Sequence, residues 1–316
     1  MAEPFFSVII NNYNYGTFLP RAVQSALDQT GVQAEVIVVD DGSTDTSRDV
    51  IAQFGDRVVA VLQDNAGQAA AINAGVRESK GDILCFLDAD DWWLPGKLSA
   101  IGAAFTANPA AGLAYHRLQP ILSDGTHAFR AIPRSLCTGN LAPLMASSGG
   151  RWPFPMTSAV SVRRGMWDEA GEIPSSFRIS ADAWLVGIYP FLGPVIGLPQ
   201  VLGFYRIHAN QWYRAEDDAK MLQKRMGHWK ATVAVTDRFL RQNGLPWRVD
   251  IADLHPYQVA EARLNGAGLA ARARLLVHGL RDAGEPNLLR RARDTLREVR
   301  QISGKGMANP APLATP

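Results

Sequence analysis

Short, continuously apolar runs separated by segments of helical periodicity organise the first hundred residues. Phe6–Ile10 (FSVII), Glu35–Asp40 (EVIVVD), Val58–Gln63 (VVAVLQ) and Asp82–Leu87 (DILCFL) lack apolar/polar alternation, which predicts strands buried on both faces. Between the first two, Phe18, Ala22, Val23, Ala26 and Leu27 recur at helical spacing, so a helix is expected from Thr17 to Thr30, stopped by Gly31. Further helices are expected from about Thr44 to Phe54 and from Gly67 to Ser79, and another opened by Pro95 at its first position. Strands alternating with helices predict an α/β fold with a mostly parallel, Rossmann-like sheet covered by helices.

Past residue 110 the rhythm changes. Gly112–Leu118 and Ala128–Pro133 flank Ser123-Asp-Gly-Thr126, a hairpin signal. The stretch from Ser135 to Gly150 is rich in small residues and predicts a loop over a site. Ala183 to Phe204 carries no charged side chain over 22 positions, close to a membrane-spanning length. Pro190, Pro194 and Pro199 and four glycines interrupt it, which fits a buried helix and a buried strand better. From Glu216 to Asn243, Leu222, Met226, Trp229, Val233 and Leu240 share one helical face, and more helix is expected between His255 and Ile302. The Pro/Ala-rich end from Gly304 is expected to be a disordered tail.

Composition narrows the class only a little. With 47% hydrophobic and 20% charged residues the chain can bury a core, and a net charge of +2 gives no electrostatic support for a nucleic-acid partner. The two cysteines, Cys85 and Cys137, argue against a disulfide scaffold and suit a reducing, cytoplasmic setting. The start, MAEPFFSVII, has no basic run ahead of its apolar residues, which predicts no signal peptide.

The chemistry concentrates where strands end. The four strands lead into Asn11-Asn-Tyr-Asn-Tyr15, Asp40-Asp-Gly-Ser-Thr-Asp45, Asp64-Asn-Ala-Gly67 and Asp88-Ala-Asp90-Asp91. Ligands of open α/β sheets bind at the carboxyl ends of strands, so amides, carboxylates and an aromatic ring would share one edge. Acid facing an anionic ligand requires a cation between them, and oxygen ligands suit Mg²⁺ or Mn²⁺.

Ser7-Val-Ile-Ile-Asn-Asn-Tyr-Asn14, Val38-Val-Asp-Asp-Gly-Ser-Thr-Asp45, Asn65-x-Gly-x(5)-Asn73-x-Gly75 and Phe86-Leu-Asp-Ala-Asp-Asp91 together resemble the inverting family 2 glycosyltransferases of the GT-A fold. The resemblance spans about residues 5–210 and does not reach the C-terminal helices. It implies transfer of a sugar from a nucleoside-diphosphate sugar donor to a glycan or lipid-linked acceptor, with Mn²⁺ or Mg²⁺ as cofactor. It also implies a base pocket at Asn11 and Tyr13, with Asp40 or Asp41 meeting base or ribose, and donor contacts from Asn65, Gly67, Asn73, Asp88 and Asp90. Asp90, Asp91 and His208 would face the metal. Ile179-Ser-Ala-Asp182 matches the place of the family's general base, with Ala181 where an acid is more usual. Ile72 stands where the family often has an arginine, and Arg77 or Lys97 are only loose substitutes. By position, Trp152, Arg206 and Trp212 fall in the acceptor region.

On this reading residues 1–215 form the glycosyltransferase domain, with a nucleotide-sugar half to 110 and an acceptor half from 111. Residues 216–303 form a helical extension and 304–316 the tail. Two other readings compete. Haloacid dehalogenase-like phosphohydrolases also place Asp-x-Asp after a strand, but near the chain start and with Thr or Val where Trp92 stands here. A non-catalytic sugar-nucleotide-binding protein of the same fold would have no need of Asp182. Residue by residue, Asp-Asp-Gly-Ser also suits an ordinary turn, and Asp182 a helix cap. The C-terminal stretch from Ile251 to Pro310, ten Lys/Arg against six Asp/Glu, offers helices for packing, for a homodimer, or for peripheral contact with an anionic membrane surface.

Overall fold

A computed structural model describes residues 3–178, 180–208 and 218–307. Its eight strands are β1 (Phe5–Asn12), β2 (Gln33–Asp41), β3 (Val59–Gln63), β4 (Ile83–Asp88), β5 (Trp92–Trp93), β6 (Leu113–Ile121), β7 (Val160–Arg163) and β8 (Val195–Arg206). They form one sheet in the order β3-β2-β1-β4-β7-β6-β8-β5. The first four are parallel, β7 runs antiparallel to β4 and β6, and β5 runs antiparallel to β8. The helices are α1 (Leu19–Leu27), α2 (Ser47–Phe54), α3 (Gln68–Glu78), α4 (Lys97–Ala107), α5 (Ala142–Ala146), α6 (Arg164–Ala170), α7 (Asp182–Leu192), α8 (Ala219–Gln242), α9 (His255–Asn265), α10 (Leu269–Arg281) and α11 (Leu288–Arg300).

The chain divides into two compact units. The first contains 1–141 and 154–209, the second 142–153 and 210–316. In the first unit, successive residues of a strand face opposite cores. Val36 and Val38 join Val8, Ile10, Val23, Ile51, Leu98 and Phe105 on one side, while Ile37 and Val39 meet Ala71 and Ala74 on the other. The lack of alternation in β1, β2 and β4 follows from this double burial; β3, expected to be buried on both faces, is instead the edge strand of the sheet, with Val59 and Leu62 exposed. α3 lies close on its face because Gly75 has no side chain; a Cβ there would come within 2.5 Å of Ile9 Cγ2.

In the second unit α5 and α8–α11 carry the chain. Arg151 forms a short ion pair with Asp282, and a small core joins Val259, Leu275 and Ile302 with Val299.

Several boundaries differ from the sequence reading. The helix expected to open at Pro95 begins at Lys97, because Gly96 adopts φ 80° and separates the proline from the first turn. The hairpin around Asp124-Gly125 returns only through isolated bridges, Leu118 to Ile132 and Ile121 to His127, and Ala128–Pro133 forms no strand. Within the expected loop, Ala142–Ala146 is helical and belongs to the second unit. The apolar stretch from Ala183 resolves into α7, with Pro190 inside it, and β8. Among the described residues no helix is long and apolar enough to cross a membrane.

Asn73 ties α3 to the segment that leads into α7. Its Nδ2 donates to the Ile173 carbonyl at 2.9 Å and its Oδ1 accepts from the Ile173 N–H at 3.0 Å, both buried. Asn73→Ala would strand both backbone groups, so urea unfolding should show a loss on the order of 2 kcal/mol or more.

Candidate active site

The order of the first four strands reverses direction at β1, with β2 on one side and β4 on the other, and this is where ligands of open sheets bind. Register then decides which side chains meet. Asn12 lies beside Asp40 and donates to its Oδ1 at 2.9 Å; Asn11 lies beside Asp88 and donates to its Oδ1 at 3.0 Å. Burial alone would raise the Asp40 carboxyl. Hydrogen bonds from Ser43, Arg48 and Asn12 outweigh it and hold the group below the usual carboxylate range. Both oxygens of Asp41 face inward, accepting from Gln63 Nε2 and from the N–H groups of Ala66 and Gly67 at 2.6, 2.9 and 2.7 Å. Asp41 therefore orders the loop after β3. In that loop Gly67 takes φ 94°, and a Cβ there would come within 2.9 Å of the Arg178 backbone.

At the end of β4 three carboxylates crowd together. Burial, then the neighbouring Asp90, push Asp88 up to about 7, with Asp182 adding to the rise. Burial, Asp90 and Asp88 likewise raise Asp91 well above the ordinary range. Asp91 is fully engaged: Ser158 Oγ donates to Oδ2 at 2.6 Å and the Arg206 N–H to Oδ1 at 2.9 Å. Ser158 also accepts from the Asp88 N–H at 3.1 Å, so one buried hydroxyl braces two members of the cluster. Asp90 differs. Its Oδ2 lies 3.0 Å from His208 Nε2, whereas its Oδ1 has no hydrogen bond from the described residues.

Among the described residues, the nearby cations are placed as follows. Arg206 donates from Nε to the Asp90 carbonyl at 3.0 Å, and its guanidinium lies over the Phe18 and Trp92 rings at 4.5 and 4.8 Å. Lys97 is buried away from the carboxylates, bonded to Ser161 Oγ at 3.0 Å, and Arg77 pairs with Glu172. Neither substitutes for the arginine that Ile72 replaces. Two phenols register the field: burial and then the carboxylates raise Tyr15 (Asp90, Asp88, Asp91) and Tyr205 (Asp91, Asp90, Asp88, Asp182).

Asp182 opens α7, on a different element from the other carboxylates, and its charge is felt at both Asp88 and Tyr205. Burial pushes it up to about 6, against the pull of the N–H groups of Ala183 and of Asp182 itself. Gln68 joins the two regions. Its Nε2 donates to Asp88 Oδ1 at 2.9 Å and its Oε1 accepts from the Ala181 N–H at 3.1 Å. Gln68, Ser158 and Tyr15 were not singled out from the sequence. Ser158 in particular lies 70 positions from Asp88, and no local pattern marks it.

The remaining expected residues are placed unevenly. Tyr13 stands 47% exposed at the end of β1, open to a planar ligand. Asn65 is exposed and accepts from Arg178 Nη2 at 3.0 Å. Asn73 is not brought to the site as a donor contact, because both of its amide atoms are engaged by Ile173. Trp152 is 2% exposed within the second unit, so its ring is a core group there and not an open platform. Trp212 lies outside the described residues.

The architecture is similar to that of solved GT-A glycosyltransferases. S. aureus TarS 1-349 in complex with UDP-GlcNAc aligns with a TM-score of 0.54 at 16% identity, over 94% of this chain and 91% of that one. Mannosyltransferase PcManGT from Pyrobaculum calidifontis, in complex with GDP-Man and Mn²⁺, aligns at 0.52 and 18%, over 95% and 86%. In sequence, the Glycosyl transferase family 2 profile matches residues 7–141. An uncharacterised glycosyltransferase of Nostoc sp. is 36% identical over 253 residues, 78% of this chain and 79% of that protein. The putative teichuronic acid biosynthesis glycosyltransferase TuaG of Bacillus subtilis is 39% identical over 100 residues, 30% of this chain and 40% of that one. The chain belongs to glycosyltransferase family 2. This membership sets aside the phosphohydrolase reading.

Ser158→Ala would leave the Asp88 N–H and one Asp91 oxygen without their buried partner. Its urea-unfolding midpoint should fall by the equivalent of about 1–3 kcal/mol.

Proposed function

We propose that the protein transfers a sugar from a nucleoside-diphosphate sugar to an acceptor hydroxyl with inversion, with a divalent cation at Asp90 and His208 and with Asp182 as general base. The observation that carries this reading is the surplus of carboxylate at the end of β4. Burial and mutual repulsion raise Asp88 and Asp91, and one oxygen of Asp90 has no hydrogen bond from the described residues. Such a cluster suits a cation, and a cation lets a diphosphate approach an acidic edge.

The donor set fits Mn²⁺ or Mg²⁺. Asp90 offers a carboxylate oxygen and His208 an imidazole nitrogen, and no three His, Cys, Asp or Glu side chains among the described residues converge into a ready-made metal site. Few protein ligands is the usual state for these ions, whose other positions go to phosphate oxygens and water. When bound, the cation supplies Lewis-acid stabilisation of charge on the departing diphosphate. Asp91, expected among the ligands, is better suited to hold the turn, since both of its oxygens are engaged. The complexes of the structural neighbours, TarS with UDP-GlcNAc and PcManGT with GDP-Man and Mn²⁺, support the same ligand classes.

The protein's own residues divide the remaining work. Tyr13 offers a ring for the nucleobase beside the loops that Asp40 and Asp41 order. Asp88 takes ribose or sugar hydroxyls, steadied by Asn11 and Gln68. Arg206 adds positive charge beside the phosphates. Asp182 accepts the acceptor proton: raised to about 6, it is ionised at neutral pH yet more basic than an ordinary carboxylate. Residues 1–110 then serve the donor and 111–215 the acceptor, a glycan or lipid-linked hydroxyl of the kind implied by the teichuronic acid relative.

Screening UDP-, GDP- and dTDP-sugars with Mn²⁺ should find one that is turned over, with loss of turnover in EDTA and recovery on adding metal. Turnover unaffected by EDTA would remove the cation from the scheme. Asp182→Asn should lower kcat by about 10²–10⁴-fold with donor binding retained. In the wild type, kcat should rise with pH through about 6 as Asp182 loses its proton, and be flat above. A variant that transfers at the wild-type rate would refute the base assignment.

A further inference from the structure

The second unit carries a surface that the donor-site chemistry does not use. Among the described residues, six of the eleven large hydrophobic side chains left exposed lie on α10, on α11 or just between them: Leu269, Val277, Leu280, Leu288, Leu289 and Leu296. They are not scattered. On α10, Leu269, Ala273, Val277 and Leu280 follow helical spacing and share one face, while Leu275 and Gly279 are buried on the other. On α11 the buried side is marked by Thr295, with Val299 against the small core; Leu289 and Leu296 lie together about a quarter turn round the helix, exposed. The two helices pack on one another, so each turns an apolar stripe away from its own core.

The charge beside these leucines is mostly basic. Arg293, Arg297 and Arg300 recur at i, i+4 and i+7 on the same face of α11 as Leu289 and Leu296. With Leu296 and Gln301 they line a groove. Arg293 and Arg297 share a single carboxylate, Asp294, at 2.8 and 3.7 Å, and their side chains stay 61% and 66% exposed. α10 contains no acidic residue at all. Leucines flanked by arginines match a surface that is apolar beneath and anionic on top. Pairing with a second copy fits less well, since it would bring two arginine rows together with too few carboxylates to separate them.

We infer that the outward face of α10 and α11 is a docking surface for an anionic lipid bilayer, with Arg293, Arg297 and Arg300 taking lipid phosphates and Leu289 and Leu296 entering the interface. This surface does not depend on the assignment of the donor site. It would seat the protein on a membrane surface with no spanning helix among the described residues.

The test is co-sedimentation of the full chain with vesicles of phosphatidylcholine alone and of phosphatidylcholine mixed with phosphatidylglycerol, with sedimentation equilibrium in parallel. The wild type should bind the anionic vesicles, less so at high salt, and leave the neutral ones largely unbound. The combined Arg293→Gln, Arg297→Gln and Arg300→Gln variant should partition about 100-fold more weakly, since each basic residue near such a surface contributes roughly a further factor of five. The corresponding triple Lys variant keeps the charge and should still bind, which separates loss of charge from loss of fold. Leu289→Ser with Leu296→Ser should also weaken binding, with an unchanged thermal melt. Equal binding to both vesicle types, or none, would overturn the inference. So would a wild-type dimer that the Leu→Ser pair dissociates, which would make this face a contact between copies.

Discussion

Like charge held close together at the end of one buried strand is the constraint around which the first unit is arranged. β4 delivers Asp88, Asp90 and Asp91 within four positions, and burial makes their mutual repulsion expensive. Nearly every polar residue nearby serves to hold this cluster together. Ser158 bonds to two of the three residues, Asn11 and Gln68 converge on one oxygen of Asp88, and the Arg206 backbone satisfies Asp91. Asp88 and Asp90 each keep one oxygen without a hydrogen bond from the described residues. A site braced in this way would be preorganised for the cation proposed above, because the cost of gathering the charges is met by folding and not by binding.

The same bracing couples Asp88 to the segment that opens with Asp182. Gln68 stands at the first turn of α3 and touches both Asp88 and the backbone just before Asp182. Asn73, one turn further along, fixes the segment leading toward α7 through Ile173. α3 therefore sets the spacing between Asp88 and Asp182, the carboxylates proposed to meet the donor and to act as base. The small residues of α3, Gly75 among them, let the helix lie close enough to the sheet for this.

Much of this was legible in the sequence, for identifiable reasons. Strands buried on both faces leave continuous apolar runs, so β1, β2 and β4 could be read within a residue or two, while β3 showed the same apolar run as an exposed edge strand. A parallel sheet gathers its strand ends on one edge, so Asn11, Asp40, Asp88 and Asp90 could be named together from position alone. Asn73 and Trp152 show where that reasoning fails. An amide in a family-like spacing and a tryptophan in a proline-rich turn carry no local mark of which way they face. Only the fold shows that Ile173 captures the first and that the second is a core group of the other unit.

What the sequence determined by itself was the alternation of elements and the chemistry at each strand end, because both rest on local periodicity and on residue type. Tertiary structure decided the pairing of groups far apart in the chain: Ser158 with Asp88 and Asp91, His208 with Asp90, Gln68 with Ala181. It also decided which face of α10 and α11 is left outside, something that a helix rich in both leucine and arginine does not reveal alone. The physical reason is the same in each case. Burial, hydrogen bonding and the field of neighbouring charges depend on what surrounds a side chain, and those surroundings exist only once distant segments have packed together.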